Sequence, residues 1–169
     1  MCQTCGCAIA QAPEAEAGGT SGRSVDVEVV RGVLAENDLR AAHNRAHFDE
    51  AGVLVVNLMS SPGAGKTSLL EATIEAERQR GQAGLRIGVI EGDLETDNDA
   101  ERIRRHGVPA VQITTGGACH LDAAMVHDAM AGLDLAALDV LFIENVGNLV
   151  CPASFDLGHH HAVALLSTT

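Results

Sequence analysis

Ser60-Ser61-Pro62-Gly63-Ala64-Gly65-Lys66-Thr67 follows the apolar run Val53-Leu54-Val55-Val56-Asn57-Leu58-Met59 and precedes Ser68-Leu69-Leu70-Glu71-Ala72, which has helical composition. Strand, glycine-containing loop, Lys-Thr and helix in that order describe a phosphate-binding P-loop. Such a loop lets successive backbone N–H groups curl around phosphate oxygens at a helix N-terminus. Gly63 and Gly65 permit the close approach. Lys66 can place an ammonium on the β/γ-phosphates, and the Thr67 hydroxyl is suited to the Mg²⁺ that accompanies a nucleoside triphosphate. The first glycine of the GxxxxGK[ST] pattern is Ser60 here, so the match is imperfect. An ordinary Gly/Pro turn before a helix is the competing reading, and the full order of strand, loop, Lys-Thr and helix weighs against it.

The remaining chain supports a domain built around that loop. Its 169 residues suffice to bury a core without covalent staples. With three Phe and no Trp or Tyr, the core must come from Leu, Val, Ile and Ala. A formal charge of −12 disfavours nucleic acid and anionic membranes as partners and suits cations. No apolar run approaches the roughly 20 residues of a membrane span, and the N-terminus lacks a secretory pattern, so the expected location is cytoplasmic.

Short apolar runs at 53–59, 85–91, 110–114, 138–144 and 161–167 read as buried parallel strands. Helical stretches at 66–80, 97–106 and 120–130 separate the first four, with Gly81 as a stop signal. The fold class is therefore α/β, a mainly parallel sheet flanked by helices, with ligands at the carboxyl ends of the strands. Ahead of it, Val30, Leu34, Leu39 and Phe48 suggest an amphipathic helix or two, and residues 8–24 have the composition of a mobile linker. The expected division is a metal-binding tail and linker (1–24), a helical segment (25–51) and a P-loop domain (52–169).

Two carboxylates stand at strand ends. Asp93 follows Glu91-Gly92, and Glu144 opens Glu144-Asn145-Val146-Gly147-Asn148. In a P-loop fold both positions lie near the γ-phosphate, where an acid can hold Mg²⁺ or position water. The Gly147 N–H is placed to sense the same phosphate. Asp99 is a further candidate, whereas Asp97 reads better as a helix N-cap.

Five cysteines in a chain without an export signal point to metal before disulfides. Cys2-Gln3-Thr4-Cys5-Gly6-Cys7 offers three thiolates in six residues, and the α-amine can complete a planar S₃N set for Ni²⁺; Zn²⁺ would favour a tetrahedron. Cys119-His120 and Cys151-Pro152 belong to loops that can meet at the nucleotide edge, a weaker signal because isolated cysteines are more often packing groups. His159-His160-His161 reads as a loop entering the last strand or as an imidazole site. His43, His47, His106 and His127 read as ordinary surface or core residues.

Together, Cys2-x-x-Cys5-Gly6-Cys7, the Asn57–Thr67 stretch, Glu91-Gly92-Asp93, Cys119-His120 and Glu144 to Pro152 resemble the HypB family of hydrogenase nickel-incorporation GTPases over nearly the whole chain. The resemblance implies GTP hydrolysis coupled to nickel delivery into the [NiFe]-hydrogenase large subunit, a nucleotide- or metal-dependent homodimer and companion maturation proteins. It implies a nucleotide site of Ser61, Gly63, Ala64, Gly65, Lys66, Thr67, Ser68 and Gly147, with Thr67 on Mg²⁺ and Lys66, Asp93, Asp99 and Glu144 in catalysis. It implies Ni²⁺ at Cys2, Cys5 and Cys7, and Ni²⁺ or Zn²⁺ at Cys119, His120 and Cys151. The family's guanine-reading Asn-Lys-x-Asp should follow the strand ending near Ser167, and no such tetrapeptide occurs. The expectation is thus a C-terminally shortened version. A metal-storage or scaffold module with lost hydrolysis is the alternative, and the CxxCGC tail argues against a urease-type nickel GTPase.

Overall fold

The computed structural model describes residues 24–93 and 98–168. The tail cysteines Cys2, Cys5 and Cys7, the linker up to residue 23 and Asp97 lie outside them. Among the described residues, four α-helices, α1 (Ser24–Ala51), α2 (Lys66–Gln79), α3 (Asn98–Arg104) and α4 (Ala123–Met130), accompany five strands, β1 (Leu54–Ser60), β2 (Ile87–Asp93), β3 (Ala110–Thr114), β4 (Val140–Glu144) and β5 (His161–Leu165). All strand pairs are parallel, in the order β3-β2-β4-β1-β5. The expected α/β architecture is thus present. The P-loop strand lies inside the sheet, between β4 and β5.

Alternation along the strands divides the core between the two faces of the sheet. Val55, Ile90, Leu141 and Ile143 join Phe48 of α1 and Val126, Ala129 and Met130 of α4. Leu58, Ile87 and Val89 pack with Leu70 and Ile74 of α2 and Ile103 of α3 on the other face. Aliphatic side chains dominate, as the composition requires. Each such buried side chain contributes about 1.5–3 kcal/mol through the area it removes from water. Glu91 and Glu144, by the same alternation, fall on the α2 side.

α1 is one continuous helix, and its buried stripe differs from the expected one. Leu39 is 75% exposed and Leu34 only half-buried, whereas Asn37, Ala41, Asn44 and Phe48 face inward. Their spacing keeps them on one side of a 3.6-residue helix, and two of them are amides because the surface they meet is backbone. Asn37 donates to Asp156 O at 2.8 Å and accepts from Ala123 N at 2.9 Å. Asn44 donates to Ala123 O at 2.8 Å and to Leu157 O at 3.1 Å. These amides satisfy the first turn of α4 and the segment leading to β5, groups that burial would otherwise leave unpaired.

The histidine run closes the same corner. His160 Nδ1 accepts from Val55 N at 2.9 Å, which leaves Nε2 to donate to Asp49 Oδ1 at 3.0 Å. His159 lies beside Asp156, and burial lowers its basicity. Both therefore serve packing ahead of β5.

Gly158 carries α1 at closest approach. Its φ is +87°, and a Cβ there would sit 2.6 Å from Ala41 O and 2.9 Å from Arg45 N. Gly158→Ala should lower stability by about 1–3 kcal/mol through backbone strain and displacement of α1. Urea unfolding checks it, and an unchanged midpoint would show that α1 accommodates the methyl group.

Candidate nucleotide and metal sites

The loop leaving β1 carries Gly63 at φ 72° and Gly65 at φ 95°, conformations open to glycine at little steric cost. Residues 61–63 and 65 are exposed, so the loop backbone is open to a ligand at the start of α2. Ala64 is half-buried and Ser68 exposed, while Lys66 and Thr67 turn inward and are buried. Ser60, the departure from the glycine pattern, is buried and holds the lysine. Lys66 Nζ donates to its Oγ at 3.2 Å, and the Ser60 hydroxyl donates to Ser61 O at 2.7 Å.

Glu144 is the second partner of that pair of residues. Its Oε1 accepts from Thr67 Oγ1 at 2.9 Å and lies 3.8 Å from Lys66 Nζ. In register beside it on the neighbouring strand stands Glu91, also buried. Sequence reasoning treated Glu91 only as a strand end. The available signal was only that Glu91, like Glu144, ends an apolar run. Burial, followed by the charge of Glu144, pushes Glu91 far above the usual carboxylate range. Burial also raises Glu144, against the lowering effects of Thr67 and Lys66.

Glu91 Oε1 and Glu144 Oε2 are buried with no hydrogen-bond partner among the described residues. Two orphaned carboxylate oxygens beside a P-loop threonine form an oxygen-rich donor set that fits Mg²⁺. The other expected acids are placed differently. Asp93 is the last residue of β2, paired in register with Thr114, rather than a loop residue after it. Asp99 lies in the first turn of α3 and is bound by Arg102 at 2.8 Å, although its charge reaches Glu91 and Glu144.

The segment after β4 folds back over the P-loop. A Cβ on Gly147 would stand 3.0 Å from Pro62 Cα, and Asn148 bridges Ser60 in an antiparallel pair. Asn145 is buried and ties this segment to the loop before α4. Its Oδ1 accepts from Leu121 N at 3.2 Å and from Val146 N at 3.0 Å, while its Nδ2 donates to Asn57 Oδ1 at 3.3 Å.

At the far end of the same segment the second cysteine cluster assembles. One ligand atom each from Cys119, His120 and Cys151 lies within 4.8 Å of the other two. His120 stacks on Phe155 with ring centroids 3.9 Å apart, and Asn148 Nδ2 donates to Cys119 O at 3.2 Å. The Cys119 thiol and Asn148 lower the Cys151 thiol, and Cys119 is raised in return as the proton-holding partner. Two sulfurs and one imidazole, partly open to solvent, form a borderline-soft set suited to Ni²⁺ or Zn²⁺. The structure also gathers His43, His47 and His127, which the sequence presents as unrelated residues.

Residues 54–164 match the model of the CobW/HypB/UreG nucleotide-binding domain. The hydrogenase maturation factor HypB of Azotobacter vinelandii is 57% identical over 143 residues, covering 85% of this chain and 46% of the relative. That of Escherichia coli K12 is 53% identical over 147 residues, covering 87% and 49%. The chain thus spans about half the length of the curated relatives it matches. Among solved structures, HypB from Helicobacter pylori in complex with nickel superposes with a TM-score of 0.72 at 45% identity, covering 78% of this chain and 60% of that one. HypB from Archaeoglobus fulgidus gives 0.69 at 43% identity, with coverages of 79% and 63%. On the matched domain, the parallel sheet and the P-loop alike, the chain belongs to the CobW/HypB/UreG nucleotide-binding family.

Proposed function

We propose that this chain is a nickel-delivering GTPase of hydrogenase maturation, in which nucleotide state governs how tightly nickel is held at Cys119, His120 and Cys151. The observation that carries the reading is a single segment, 144–151, that begins at the P-loop carboxylate and ends at a cysteine of the metal cluster. A nucleotide that repositions this segment has a direct mechanical route to the metal ligands. Any such coupling requires a difference in metal affinity between the two states.

Backbone N–H groups of residues 61–65 and the start of α2 cradle the β- and γ-phosphates. Lys66 leaves Ser60 and Glu144 for the phosphate oxygens and offsets their charge. Thr67, with Glu144 and Glu91 behind it, would hold Mg²⁺, which would supply further charge stabilisation to the phosphates. Gly147 contributes its N–H at the γ-phosphate side, Asp93 serves at the rim, and Asp99 acts through its field on the two glutamates. GTP is the nucleotide by family likeness. Ser68 completes the cradle.

Nickel is cargo. Cys2, Cys5 and Cys7 hold it first, Cys119, His120 and Cys151 receive it or Zn²⁺ at a homodimer interface, and the hydrogenase large subunit, with companion maturation proteins, takes it onward. The setting is cytoplasmic; no helix among the described residues is long and apolar enough to cross a membrane. A metal-storage module without hydrolysis is the alternative, and nucleotide turnover measured with GTP and ATP separates the two.

Lys66→Ala should weaken triphosphate binding by about 100-fold or more, since a buried charge-assisted contact is removed, and leave nickel binding to the cysteines near its original affinity. Parallel nucleotide and nickel titrations check this, and equal loss of both would overturn the separation of the sites. In the chain with Cys2, Cys5 and Cys7 replaced by serine, Cys119→Ala or Cys151→Ala should abolish a metal-binding event seen by calorimetry and spare nucleotide binding. Persistence of that event would remove the cluster from the mechanism. In that same three-serine background, a magnesium-bound, non-hydrolysable GTP analogue should shift nickel affinity by roughly 5-fold or more. Identical nickel isotherms with and without the analogue would leave the shared segment without a coupling role.

A further inference from the structure

α1 and α4 meet at a second metal-competent cluster that shares no residue with either cysteine set. His43 and His47 are four residues apart on α1, so their rings share one face of the helix, and His127 approaches from α4. The ring centroids are 4.5 Å apart for His43 and His47, 5.2 Å for His43 and His127, and 5.7 Å for His47 and His127. One ring nitrogen from each lies within 4.8 Å of the other two, and all three side chains are half-buried.

The surroundings select the tautomer of His127 and leave a ring nitrogen of His47 without a hydrogen-bond partner among the described residues. Asn44 commits its Nδ2 to the carbonyls of Ala123 and Leu157, which turns its Oδ1 toward His127 Nδ1 at 3.2 Å. An amide oxygen only accepts, so His127 must carry its hydrogen on Nδ1, and its Nε2 presents a lone pair. A hydrogen bond of this kind on the second ring nitrogen is the usual way a protein selects the ligating tautomer. His47 Nε2 is buried with no hydrogen-bond partner among the described residues. Burial and the two neighbouring imidazoles favour neutral His127, the form that ligates. Arg40 adds to that preference and Asp128 opposes it.

We propose that His43, His47 and His127 form a three-imidazole site for a divalent transition ion, Zn²⁺ or Ni²⁺, that clips α1 to α4. Tetrahedral bonds of about 2.1 Å set ligand nitrogens about 3.4 Å apart. Modest side-chain rotation therefore closes the cluster on the ion, and water takes the fourth position. Because α1 is docked through amide contacts and few apolar side chains, an ion shared between α1 and α4 adds directly to the attachment of α1. The site uses none of the nucleotide or cysteine ligands and stands independently of the function proposed above.

The test uses the full chain with all five cysteines replaced by serine, titrated with Zn²⁺ and with Ni²⁺ by calorimetry. One equivalent of at least one of the two ions should bind, and its binding should raise the Tm, since an ion that prefers the folded state stabilises it. Co²⁺ should give d–d absorption without thiolate charge transfer. His43→Gln and His127→Gln should each weaken binding by about tenfold or more. Should either variant lose its fold in chelator, ¹⁵N imidazole spectra of the cysteine-free parent decide the matter. The added ion should move the Nε2 resonance of His127 and leave Nδ1 protonated. No binding in the parent, unaltered affinity in both folded variants, or an unmoved His127 resonance would each overturn the site, the last two placing the ion elsewhere, for instance on the 159–161 run.

Discussion

Two carboxylates buried side by side at the ends of adjacent strands impose the strongest constraint on this molecule. Glu91 and Glu144 stand in register on β2 and β4, and neither can ionise cheaply away from water without a cation. Lys66 and Thr67 supply the compensation for Glu144, which ties the start of α2 to the end of β4, while burial and the charge of Glu144 keep Glu91 protonated. The departure from the usual glycine at Ser60 follows from the same need, because its hydroxyl gives the lysine a second contact. The two carboxylate oxygens without a hydrogen-bond partner are the acceptors on which the proposed divalent-ion role rests.

On the opposite face of the sheet, hydrogen bonds position α1 over a large apolar cluster. α1 enters the core through Phe48 but is positioned by Asn37 and Asn44, which reach backbone groups that no apolar side chain could satisfy. Such contacts are directional, so they set the rotation of the helix as well as its distance. The rotation then brings His43 and His47 to His127. Gly158 permits the close backbone approach.

Between the faces, the segment from Glu144 to Cys151 belongs to both proposed sites. Asn145 links it to Leu121, two residues after Cys119, and Asn148 links it to Ser60 on one side and to Cys119 on the other. A shift of this segment cannot be confined to one end, since its amide side chains are shared among the P-loop strand, the loop before α4 and the cysteine cluster. These contacts give the proposed coupling a physical path, through hydrogen bonds that are buried at Asn145 and exposed at Asn148.

The sequence alone determined the alternation of strands and helices, the P-loop and the aliphatic core, because periodicity and loop chemistry are local properties written in consecutive residues. It also determined Glu144 and the Cys-His and Cys-Pro pairs as candidates. The buried stripe of α1 was not legible: Leu39 looks like a core residue by type, yet tertiary docking turned Asn37 and Asn44 inward to meet unpaired backbone. Glu91 gained its importance only from strand register, and His43, His47 and His127 only from the meeting of two helices separated in sequence by three strands. Pairings across such distances depend on how elements rotate and stack against one another, which no local pattern encodes.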